Sequence, residues 1–211
     1  AAYWGFLAPG ISEVAHRAEG SRRQVAMEWY GEELPAASKR TAIFVRLEPS
    51  RSFARTLLDK QGDGHCMWIF ASELELTGSL LRHEVAHTVM AARFGASMPA
   101  WANEGIASRY DNGSRHRIRQ QKLVEFATLD SWPRLDQLLD APVRSQWAYA
   151  TSVSLAEHLI ARGGKPQFLA FVEQAQSRGW EQALQTCYSI DSVDALETEW
   201  KASVRLQLRS S

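Results

Sequence analysis

The sequence predicts an α+β fold, with a small N-terminal sheet packed on helices and a mostly helical C-terminal half. Two observations carry this expectation. Segments rich in β-formers all fall before residue 77, and helical periodicity dominates after it. One domain is expected over 1–211, in three parts. Residues 1–76 supply a helix and the sheet, 77–127 a pair of helices with the chemically interesting side chains, and 128–211 a helical subdomain.

The first element is residues 11–31, with Ile11, Val14, Ala15, Ala18, Val25 and Trp29 on one helical face and Gly31 as the stop. "RTAIFVRLEP" (40–49) reads as a strand closed by Pro49. "SFARTLLDK" (52–60) reads as a short helix, "QGDGH" (61–65) as a turn and "CMWIFASE" (66–73) as a second strand. Thr77 or Ser79 is the expected cap of the next helix, which Gly95 ends. A further helix opens at Pro99 and covers "AWANEGIASRY". The rest divides into helices at 114–127, 134–140, 146–162, 166–177, 180–187 and 193–208, punctuated by Gly163-Gly164, Gly179 and Asp191.

Composition narrows the class. The chain has 211 residues, 45% hydrophobic and 23% charged, so a packed core is expected. Eight tryptophans imply large core side chains or a gripping surface. Lys plus Arg and Asp plus Glu both number 24, which speaks against nucleic-acid binding. The basic run "SRHRIRQQK" (114–122) reads as a solvated helix face. Cys66 and Cys187 allow either one disulfide in an oxidising compartment or two separate thiols with a structural role. No apolar run is long enough for a transmembrane helix. No signal peptide is visible, and the start "AAYWGF" fits a trimmed or mature fragment. A secreted or periplasmic setting is favoured over a cytoplasmic one, and the oligomeric state is left open.

The chemistry concentrates in "LLRHEVAHTVMA" (80–91). His83 and His87 are four apart, so a helix projects both imidazoles from one face. Both can then reach one zinc ion at about 2.0–2.1 Å. Glu84 is displaced around the helix and lies beside such an ion, where a general base would act on water. A lone pentapeptide of this kind also arises by chance. Here, however, its neighbours Leu80, Leu81, Val85, Ala86, Val89, Met90 and Phe94 imply burial. Two imidazoles and a carboxylate buried without partners would cost several kcal/mol, and a metal satisfies all three. An extended signature with Gly at position 90 and His at 93 is excluded by Met90 and Arg93. The third ligand is expected to be Glu104, set among Trp101, Ala102, Gly105, Ile106 and Ala107, which a helix hairpin would return over the histidines. His16, His65, His116 and His158 lack ligand spacing and read as ordinary surface or core residues.

His83-Glu84-Val85-Ala86-His87 followed by Trp101-Ala102-Asn103-Glu104-Gly105-Ile106-Ala107 resembles the gluzincin metallopeptidases, with their thermolysin-like zincin catalytic core. The second motif is similar to that of M1-type aminopeptidases and of compact bacterial peptidase MA-like proteins. The likeness to the compact group extends to "WYGEELP", "AYATSVSLAEHLIARGG" and "IDSVDALETEW". It is firm over 65–110 and looser over 10–205. It implies a zinc metallopeptidase domain in which His83, His87 and Glu104 bind Zn2+ and Glu84 activates water.

Two departures qualify the resemblance. No G-x-M-x-N segment for a substrate's free amine is found upstream, which favours endopeptidase over exopeptidase action. Ser108 occupies the place of the Asp that supports a zinc histidine in thermolysin-type enzymes, so that support is expected from Asp111 or a backbone carbonyl. Tyr149 is the expected oxyanion donor, with Tyr110 in reserve, and the strand 66–73 is the expected cleft edge for an extended peptide or protein substrate. The rival expectations are a catalytically weak zinc domain that binds a peptide or protein partner, and a zinc-free helical interaction module.

Overall fold

The computed structural model describes residues 11–35, 39–48, 52–58, 64–76 and 78–210. The chain forms two compact units, Ala1–Ser97 with Tyr110–Asn112, and Met98–Arg109 with Gly113–Ser211. The architecture is mixed α and β, with a three-stranded sheet and a long helical remainder.

The first unit opens with α1 (Ile11–Tyr30), which buries Val14, Val25, Ala26 and Trp29. Three strands follow, β1 (Ala42–Leu47), β2 (Phe53–Leu58) and β3 (His65–Ala71). Their order is β1-β3-β2, with β3 parallel to β1 and antiparallel to β2. A short helix α2 (Glu73–Leu76) leads to α3 (Ser79–Phe94), which packs against α1, α2, β2 and β3. Burial on β3 alternates, with Met67, Ile69 and Ala71 inside and Trp68 exposed, as one covered sheet face requires.

Three expectations change here. Residues 53–58 are a strand and not a helix, because pairing with β3 from Phe53↔Phe70 to Leu58↔His65 outweighs local helical preference. β3 is paired on both sides and cannot be a cleft edge, so the edges are β1 and β2. Gly78 stands at the N-cap of α3 with no side-chain capping bond, and Ser79 is already helical. Thr77, like Pro49 and the turn residues 61–63, lies outside the described residues. Gly95 does end α3, with φ of 59° and its N–H bonded to the Ala91 carbonyl. Both cysteine thiols are free.

The second unit holds α4 (Ala100–Ala107), α5 (Gly113–Leu129), α6 (Leu135–Leu139), α7 (Gln146–Arg178), α8 (Trp180–Tyr188) and α9 (Val193–Arg209). Pro99 immediately precedes α4, and its carbonyl accepts from the Ala102 and Asn103 N–H groups. α7 is broken at Gly164 (φ 79°), so it is two helices joined across a kink, with Pro166 in the first turn of the second. Ser145 and Ser192 cap α7 and α9 by accepting from Ala148 and Ala195. Trp101, Trp200, Phe168 and Phe171 are fully buried, and with Trp29 of the first unit three of the eight tryptophans are core residues among those described, whereas Trp68 is exposed. Trp200 donates to Ser154 Oγ at 2.9 Å, satisfying its indole N–H inside that core. The basic run on α5 is only partly solvated: Arg117 is exposed, whereas Arg115, His116, Arg119 and Lys122 are half-buried, and Arg119 donates to the Ser108 carbonyl at 3.2 Å. Among the described residues no helix is long and apolar enough to cross a membrane.

α4 and α7 approach closely at Gly105, where a Cβ would meet the Ser152 carbonyl oxygen at 2.7 Å and Ala156 Cβ at 2.8 Å. Gly105→Ala should therefore destabilise by about 1–3 kcal/mol. Gly20, inside α1, has nothing within 4 Å of a Cβ. Gly20→Ala should stabilise by about 0.5–1 kcal/mol. Denaturant unfolding of the two variants checks the opposite signs.

Candidate metal centre

α3 carries the candidate centre because its sequence is apolar on nearly every side. Leu80, Leu81, Val85, Val89 and Met90 are each at most 3% exposed, which leaves the polar residues of that helix inside the unit. His83, Glu84 and His87 are 6%, 4% and 8% exposed. Their ligand atoms all lie within 4.8 Å of one another.

The two imidazoles meet nearly edge to face, with centroids 4.9 Å apart and planes at 79°. Their Nε2 atoms are 3.2 Å apart. Two nitrogens bound tetrahedrally to one zinc at about 2.0–2.1 Å would be separated by about 3.3 Å, so the pair has metal-ligand spacing. Asp111 supports the arrangement. Its Oδ1 lies 3.1 Å from His83 Nδ1, and its side chain is 2% exposed. A carboxylate beside Nδ1 favours the proton there and leaves the Nε2 lone pair for a ligand role.

The segment carrying Asp111 is itself anchored. Tyr110 accepts from Trp29 Nε1 at 2.9 Å and donates to Glu28 Oε2 at 2.7 Å. The Arg82 guanidinium lies 5.5 Å from the centroid of the Tyr110 ring. Burial first, then the Glu28 carboxylate beside it, pushes the Tyr110 hydroxyl well above the usual phenol range. Its hydroxyl donates to Glu28.

Glu84 has a partner that the sequence did not suggest. Thr56, in the middle of β2, donates its hydroxyl to Glu84 Oε2 at 2.5 Å. Local sequence reads 52–60 as a helix, and only the strand pairing brings Thr56 to α3.

Glu104 and Tyr149 belong to the second unit. In the W-x-N-E-G-x-A motif, Trp101, Ala102, Gly105, Ile106 and Ala107 are buried, whereas Asn103 and Glu104 are half-buried. Most of that motif is thus packing, and Glu104 is its one carboxylate. Tyr149 is half-buried on the first turn of α7.

A comparison with curated proteins and with solved structures finds no match. The family model described as Peptidase MA superfamily matches residues 63–206, which includes α3 and α4. With most of its length matched, and with a buried His-Glu-His group of metal-ligand spacing, the chain belongs to the Peptidase MA superfamily.

Proposed function

We propose that this chain is a zinc-dependent peptidase of the gluzincin type with a thermolysin-like catalytic core, and that it cuts as an endopeptidase. The observation that carries the proposal is the buried pair of Nε2 atoms 3.2 Å apart with Glu84 beside them. His83, His87 and Glu104 would hold the ion. The histidines are supported by their geometry, and Glu104 by its place in the W-x-N-E-G-x-A motif. Zinc bound there would polarise the scissile carbonyl and acidify a water.

The chain's own groups supply the rest. Glu84 Oε2 is held by Thr56, so the other carboxylate oxygen is the one that accepts the water's proton. Glu84 then delivers that proton to the departing amine nitrogen as the peptide bond breaks. Asp111 keeps the His83 ring in orientation throughout. Tyr149 is the proposed donor to the oxyanion. β2 is an edge strand packed on α3, and its edge offers an extended peptide a partner for backbone pairing. A domain that only held a metal and a peptide would have no use for Glu84 as a base.

Protein purified without chelators should contain zinc near one equivalent per chain, and a peptide-library digest read by mass spectrometry should show internal cuts. Absence of bound zinc, together with no rise in Tm on adding it, would sink the proposal. Glu84→Gln should retain zinc while turnover falls by about 10²–10⁴-fold, as expected for a lost general base. Asp111→Asn should weaken zinc affinity by about 10–100-fold, measured by competition with a chromophoric chelator.

A further inference from the structure

A base beside a metal has a second option open to it. Glu84 lies within 4.8 Å of the ligand nitrogens of both histidines, so a small side-chain rotation would bring its carboxylate onto an ion that they hold. Carboxylate oxygens can themselves bind zinc, at about 2.0–2.2 Å. At 4% exposure Glu84 has little water to compete for it. Collapse onto the ion would occupy the open position and consume the base.

We infer that Thr56 is the positioning residue that keeps Glu84 a base and holds its carboxylate off the metal. The inference rests on the proposed zinc site. Among the described residues, Thr56 is the side chain that donates to the Glu84 carboxylate, at 2.5 Å. That length is in the range of a charge-assisted O–H···O⁻ bond. The Glu84 backbone carbonyl is 3.4 Å from the same hydroxyl, too far to compete for its single proton.

The tether is rigid at both ends. Thr56 sits opposite Met67 in the antiparallel β2–β3 pair, and Met67 is 1% exposed. Phe53, Arg55 and Leu57 are exposed, whereas Ala54, Thr56 and Leu58 are half-buried, so Thr56 belongs to the inner face of β2. Its β-branched side chain has few χ1 options. At the other end Glu84 is fixed by an α3 that packs on β2. One carboxylate oxygen is thus tied to the sheet and the other is left for the proton.

Thr56→Val removes the hydroxyl and keeps the shape, and Thr56→Ala gives the same reading should the valine protein fail to fold. With zinc bound, kcat should fall by about 10–100-fold, the worth of a hydrogen bond to a charged group, while KM holds within about twofold. With cobalt(II) in place of zinc, the visible d–d spectrum should change, because a carboxylate joins the ligand set. Thr56→Ser, which restores the hydroxyl, should recover both the spectrum and most of the lost kcat. A wild-type spectrum or a wild-type kcat in the valine protein overturns the role of Thr56, as does a serine protein that behaves like the valine one. Wild-type protein that binds no zinc and cuts no peptide instead overturns the peptidase proposal itself, so the two failures are distinct.

Discussion

The first unit depends on one constraint, which is that α3 is buried on nearly all sides while carrying two imidazoles and a carboxylate. The apolar side chains drive the burial. Leu80, Leu81, Val85, Val89, Met90 and Phe94 are all inside. Each such side chain contributes about 1.5–3 kcal/mol when removed from water. Their sum is enough to carry His83, Glu84 and His87 inside with them. Those three would each cost several kcal/mol if left without partners. The surroundings of the helix can be understood as the means of meeting that cost.

Each polar group of α3 meets support from an element distant in sequence. Glu84 is met by Thr56 from β2. His83 is met by Asp111, whose segment Tyr110–Asn112 returns to the first unit after α4. That segment is secured in turn by Trp29 and Glu28 at the end of α1. Three elements far apart in the chain therefore hold one turn of α3 in place. Such support matters most for a site whose ligands must be held within a few tenths of an ångström.

The second unit follows a different logic. Its interior is aromatic, with Trp101 against Phe168 at 5.9 Å and against Trp180 at 6.0 Å, and its close approach is at Gly105. The motif residues around Glu104 thus also serve as a packing surface, which explains their size pattern without any appeal to chemistry. Glu104 and Asn103 are the two positions of that motif left half-buried.

Most of the helical elements and the grouping of His83, Glu84 and His87 are readable from the residues alone. Helices α5 to α9 are legible within a residue or two, including the break at Gly164, because their hydrogen bonds span four residues and Gly, Ser and Pro mark the ends, whereas α4 stops at Ala107, three residues short of the expected end. The pairing of His83, Glu84 and His87 was legible for the same reason, since helical periodicity alone places them on adjacent faces. Only the tertiary structure decided that 53–58 is a strand, that β3 is central, that Thr56 binds Glu84 and that Asp111 rather than a carbonyl faces His83. The physical reason is range. A strand is stabilised by partners far along the chain, and a supporting side chain is chosen by proximity in space, so neither leaves a local pattern in the residues that carry it.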